Sequence, residues 1–258
     1  LRTSKSMWKQ VFSALAALGV AALAGLAPAQ AMTVQPVIID LTPGGRQSTA
    51  LISVENTGDQ PLPVELRIAE ATLSETGVSV SDKPSDDLLV FPPQTIIAPG
   101  ATQSFRVQFI GDPALERSRH YYITVAQLPV QLPEGTSAIQ IVDNFNVIVS
   151  VAAPGQRAAI SAVSAEIAKT DDGKPVAAFT VSNSGLNYDY LINGRLRFVQ
   201  RDAAGKEIFR RTLNGQEIQQ TIGFGLVGPE VTRRIVTSIE LPSAEGSLNV
   251  EFTPENRR

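Results

Sequence analysis

The sequence predicts an all-β protein made of two β-sandwich domains, and three observations carry this reading. Short runs with a two-residue apolar period recur along the chain, separated by Gly, Pro, Asn and Asp. No long segment shows helical periodicity. The strand pattern stops at Ala152, Ala153, Pro154, Gly155 and Gln156 and then restarts, and a strand ending in Asn-x-Gly occurs once on each side, over 51–58 and 177–185. Evenly spaced strands with turn signals pack as sandwiches of ~100 residues each. The predicted domains are residues 32–154 and 155–258. A hinge near Pro154 is short, which restricts the angle between them.

Residues 1–31 read as an export signal. Arg2, Lys5 and Lys9 give a basic start, residues 11–26 an apolar run, and Ala29-Gln30-Ala31 a small-residue cleavage pattern. The apolar run is shorter than the ~20 residues a spanning helix needs. Residue 1 is Leu, so Met7 is a candidate initiator, and the exported chain is expected to begin near Met32.

In the first half, Ala50 to Val54 alternates and stops at Asn56-Thr57-Gly58-Asp59. Val64, Leu66 and Ile68 share one face of the next run. Phe105, Val107 and Phe109 share one side of another, with polar residues between them. In the second half, Ala177 to Val181 forms a strand. A hairpin is predicted from Arg195–Gln200 and Glu207–Leu213 around a turn at Asp202-Ala203-Ala204-Gly205, with closing strands over 233–241 and 248–252.

Composition narrows the function. The first 31 residues hold three of the 22 basic residues and none of the 25 acidic ones, so the remainder carries a net charge of −6. That opposes nucleic-acid binding, which needs a basic stripe. No second apolar segment is long enough to insert stably in a membrane. With no Cys, thiolate catalysis, Cys-rich zinc sites and iron–sulfur clusters are excluded, and no disulfide supports the fold. A single His, His120, excludes any site with two imidazoles, and its place before Tyr121-Tyr122-Ile123-Thr124-Val125 implies a structural or surface role.

Gly223-Phe224-Gly225-Leu226-Val227-Gly228 fits G-x-G-x-x-G, but Pro229-Glu230-Val231-Thr232 follows and no βαβ unit surrounds it. A glycine-rich loop is the better reading than a dinucleotide fingerprint. Asp86-Asp87 and Asp171-Asp172-Gly173 lack the alternating oxygen ligands and distal Glu of a calcium loop, and the latter reads as a turn. No catalytic constellation, metal set or cofactor motif emerges.

The segment over 136–151 stands apart. Ile139, Ile141, Phe145, Val147, Val149 and Val151 share one parity, interrupted by Asp143, just before the hinge. Its second half reads as a core strand. Its first half reads as an exposed apolar edge, able to pair with another chain by strand addition. Leu132-Pro133-Glu134-Gly135 before it fits a loop that orders on binding.

With these residues in view, the chain resembles the periplasmic pilus-assembly chaperones of the chaperone–usher pathway, the PapD-like family. Phe91-Pro92-Pro93-Gln94, then Ala98-Pro99-Gly100 with Gln103 and Arg106, is similar to the family's Pro-Pro…Pro-Gly…Gln…Arg stretch. Residues 117–129, with Tyr121-Tyr122 and Leu128-Pro129, are similar to its Arg-Glu-Ser…aromatic…Asn…Ile-Pro segment. Ile139-Gln140-Ile141 sits where the family's subunit-binding strand begins. The resemblance implies two immunoglobulin-like domains set at an angle, a periplasmic location, and an outer-membrane usher as partner. It also implies capping of pilus or related surface subunits by donor-strand complementation, through Ile139, Ile141, Phe145 and Val147.

The chain departs from the family at its charged anchor. The Arg and Lys that grip a subunit's terminal carboxylate fall here near Val37 or Ile38 and at Ile148 or Val149. Ser118 replaces the Glu of Arg-Glu-Ser, and Ala153 replaces the basic residue before the hinge. Arg119 and Arg157, the latter because it follows the hinge, are the substitute anchor candidates. The alternative class is a periplasmic or surface β-sandwich that binds or supports without handling unfolded clients; a covered donor edge would favour it.

Overall fold

The computed structural model describes residues 32–129 and 142–255. These described residues are all-β apart from one short helix and two 3-10 turns. The first half contains β1 (Met32–Gln35), β2 (Ile38–Leu41), β3 (Thr49–Asn56), β4 (Leu62–Ser74), β5 (Gly77–Pro84), β6 (Leu88–Phe91), β7 (Gln94–Ile97), β8 (Thr102–Phe109), β9 (Arg119–Gln127) and β10 (Asn144–Val151). The second contains β11 (Ile160–Lys169), β12 (Pro175–Asn183), β13 (Asp189–Tyr190), β14 (Gly194–Arg201), β15 (Glu207–Leu213), α1 (Gly215–Ile222), β16 (Leu226–Val227), β17 (Thr232–Glu240) and β18 (Ser247–Pro254).

Two sheets face each other in the first half. One runs β1-β3-β8-β6. The other runs β2-β10-β9-β4-β5, with β7 sharing the outer edge of β4. The chain changes sheets between β1 and β2: β1 pairs antiparallel with β3, whereas β2 pairs parallel with β10. The predicted alternation sets what lies between the sheets. Ile52, Val54, Val64, Phe105, Val107 and Phe109 are buried in one cluster with Ile123, Val125, Val147, Val149 and Val151. Each such side chain contributes roughly 1.5–3 kcal/mol by leaving water.

The second half has sheets β11-β12-β17 and β15-β14-β18, with β13 and β16 forming a small third one. Its separate core holds Phe179, Leu191, Leu196, Phe198 and Leu213, with the Phe179 and Phe198 rings edge to face at 5.7 Å. The predicted hairpin is present: β14 and β15 pair antiparallel around a turn in which the Gly205 N–H donates to the Asp202 carbonyl.

The helix was not expected. It is too short for periodicity to reveal, and a local motif starts it. The Asn214 side chain accepts from the Glu217 N–H (3.0 Å) while Glu217 accepts from the Asn214 N–H (2.9 Å), a capping box. Ile218 buries its inner face. The helix ends at Gly223, so the glycine-rich loop meets the negative C-terminal end of a helix and continues into β16. A phosphate needs the opposite end.

Several contacts fix one half against the other. Ser118 N–H donates to the Leu186 carbonyl (3.0 Å), and Arg234 N–H donates to the Glu75 carbonyl (2.9 Å) in the turn between β4 and β5. Arg117 pairs with Glu230 at 3.1 Å. Tyr188 and Tyr190 both donate to Asp40, described next.

Candidate interaction edge and cleft

β10 lies between β9 and β2, but β2 covers only part of it. The register runs from Ile148 opposite Ile38 to Val151 opposite Leu41. Ile148 N–H donates to the Val37 carbonyl (3.0 Å) and Ala152 N–H to the Leu41 carbonyl (2.9 Å). The even-numbered amides of this strand therefore face away from β9. By the same alternation Asn144 and Asn146 direct their backbone groups outward, where no strand among the described residues pairs with them.

The strand-addition residues named from the sequence separate here. Ile139 and Ile141 lie outside the described residues. Phe145 is 37 % exposed, and Val142 beside it is exposed too. Val147 corrects the expectation: it is fully buried in the first core, because the sandwich closes over β10 from that residue on. An apolar side chain already packed between two sheets has no surface to offer a partner.

Neither anchor candidate lines the cavities around Asp40. Arg119 donates to Asp87 Oδ2 at 2.8 Å, the same oxygen that accepts from Tyr121 OH at 2.7 Å. Burial, then the neighbouring carboxylate, pushes the Tyr121 hydroxyl pKa up. Asp87, which offers no calcium-loop pattern in the sequence, is the hub of this network. Arg157 is exposed just past the hinge, and neither arginine lines the cavities between the halves.

The cleft is organised instead around Asp40. Its Oδ1 accepts from Tyr188 OH (2.7 Å) and Tyr190 OH (2.8 Å), which come from the second half. The two rings meet edge to face at 5.6 Å, and Tyr188 meets His120 likewise at 5.2 Å. His120 Nδ1 lies 3.0 Å from Ser150 Oγ, while its Nε2 is buried without a hydrogen-bond partner. Burial pushes the His120 pKa down to about 4. Tyr188 and Tyr190, two residues apart, share one side of an extended segment, which the sequence could have shown. Their acceptor, some 150 residues earlier, it could not.

Two sandwiches joined by a short hinge, with a partly open strand beside the cleft, define the two-domain β-sandwich chaperone fold. A chain of a CFA/I fimbriae chaperone–tip adhesin complex is similar over 88% of this chain and 94% of its own, with a TM-score of 0.52 at 13% identity. The class 5 fimbriae chaperone CfaA is similar over 88% of this chain and 100% of its own, with a TM-score of 0.51 at 12% identity. At such identities the likeness is one of fold. No curated protein sequence matches the chain. Residues 31–149 match the family described as pili and flagellar-assembly chaperone, PapD N-terminal domain. That match spans the first half alone, just under half of the chain, and there the chain is similar to the PapD-like chaperones. No helix among the described residues is long and apolar enough to cross a membrane.

Proposed function

We infer that the protein is a periplasmic chaperone that caps pilus or related surface subunits by strand addition and hands them to an outer-membrane usher. One observation carries this reading. Among the described residues no strand pairs with the outer edge of β10 at Asn144 and Asn146, which follow the apolar Ile139 and Ile141 in sequence and flank the exposed Phe145. An open edge supplies main-chain hydrogen bonds, and alternate side chains supply specificity. A subunit lacking its last strand would gain both. The chaperone domain would end near Pro154, with the second sandwich forming the other wall of the cleft.

The test substitutes the edge without touching the core. Asn146→Pro removes one outward-facing N–H and leaves the core residue Val147 in place; proline is tolerated at such an edge position. Ile141→Asp places a charge in the expected groove contact. With a pilin co-expressed in the periplasm, both variants should reduce recovery of soluble pilin at least tenfold, with melting temperatures near the parent's. Unchanged recovery with either variant, or loss of fold with Ile141→Asp, would refute strand addition here and favour a non-chaperone binding protein.

A further inference from the structure

Two cavities occupy the cleft, and Asp40 with Tyr190 belongs to the wall of both. One, of about 550 Å³, is polar and includes Arg46, Gln47 and Asn187. The other, of about 320 Å³, is lined by Pro36, Val37, Ile38, Ile192 and Phe224, and Asp40 is the only charged residue in its lining. Both tyrosine hydroxyls donate to a single oxygen of Asp40, so its carboxylate is fixed in place at the meeting of the two halves.

The second cavity stands in line with the open edge of β10. β2 covers β10 from Ile148 onward, so a strand added at Asn144 and Asn146 lies end to end with β2. The near end of that strand meets Pro36 and Val37, and both residues line the cavity. Val37 is 48 % exposed there. Resting on the strand-addition reading, we propose that this cavity receives a lysine or arginine side chain at the cleft-proximal end of the client strand. The aliphatic stem lies along Val37, Ile192 and Phe224, and the cation meets Asp40. Long basic side chains suit a site with apolar walls and one charge at its end. A carboxylate in the same place meets only like charge. The polarity of the cleft is then the reverse of the one the family resemblance implies.

Blocked peptides of about nine residues, alternating threonine and valine, test this on the full chain. Lysine, norleucine or glutamate is placed at the first or the last position, with acetylated and amidated ends so that no terminal charge contributes. In one of the two placements the lysine peptide should bind at least tenfold more tightly than the norleucine peptide. That difference should fall below twofold in Asp40→Asn, and shrink as salt is raised. Phe224→Ala, which leaves Asp40 untouched, should weaken lysine and norleucine peptides alike. Equal binding of lysine and norleucine peptides in both placements overturns the proposal and leaves strand addition standing. So does tightest binding by the glutamate peptide, lost in Arg46→Ala, which assigns the grip to the polar cavity. No binding by any peptide overturns strand addition itself, and this inference with it.

Discussion

Asn56 and Asn183 make the same pair of local hydrogen bonds at the ends of β3 and β12. Each Oδ1 accepts from the N–H two residues on, Gly58 or Gly185, at 3.0 Å. Each Nδ2 donates to the carbonyl four residues on, Gln60 or Asn187, at 2.7 Å. Each also reaches across its own sandwich, Asn56 to the Ile97 carbonyl (3.0 Å) and Asn183 to the Gly228 carbonyl (2.9 Å). Both side chains are buried. One carboxamide per half thus ties a strand end, its turn and a distant loop together.

Replacing either amide leaves several buried backbone groups without partners, each costing about 1–3 kcal/mol. Asn56→Ala and Asn183→Ala should each lower stability by about 2–4 kcal/mol. Urea unfolding checks this, and a loss below about 1 kcal/mol for either would show that water replaces the amide.

The turn after Asn183 is also sterically closed. A Cβ on Gly185 would lie 2.2 Å from the Arg157 carbonyl oxygen and 2.8 Å from the Ala159 nitrogen, both backbone atoms beside the hinge. Gly185→Ala should therefore cost at least about 1–3 kcal/mol, as overpacking does. It should also disturb the hinge, seen as a changed scattering profile of the folded protein.

His120 predicts an acid-sensitive fold. Its pKa is held at about 4 by burial, against 6.5 for an exposed imidazole. The unfolded chain binds the proton first, so stability is full above pH 6.5 and falls as pH drops from 6.5 towards 4, by about 3 kcal/mol at most. His120→Gln should flatten the stability profile across that window. A profile unchanged by the substitution would mean that other groups govern the acid response.

At the Asp87 hub, Tyr121→Phe removes a hydrogen bond to a charged acceptor and should cost about 1.5–3 kcal/mol. Arg119 is half exposed, so Arg119→Ala should cost no more than about 1 kcal/mol. Arg119→Ala should also leave pilin recovery unchanged, since its guanidinium is engaged by Asp87. A lost client with an intact fold would restore Arg119 as an anchor.

The fold was legible in the sequence because its signals are local. The period of Phe105, Val107 and Phe109 names the buried face directly, and Asp202 to Gly205 names a turn. The repeated Asn-x-Gly endings marked two equivalent strand ends before their hydrogen bonds were known. What escaped is what depends on distant partners. Asp87 gains its role only when Arg119 and Tyr121 are placed on it. Asp40 stands out only when two tyrosines arrive from the other half. The alternation through Val147 was visible, but alternation alone does not say where along a strand the second sheet begins to cover it.

The Arg234 N–H that meets the Glu75 carbonyl lies on the edge strand of its sheet, since among the described residues β17 pairs with β12 alone. An edge strand is a template for any extended chain. Under the strand addition proposed above, a protein that presents one edge to unfinished partners would face a problem of self-recognition. Every other open edge competes for the same partner, or for a second copy of itself. The β4–β5 turn, reaching over from the first half, blocks that competing edge at Arg234. Under that proposal the hairpin would act as a guard on selectivity, steering strand addition towards β10.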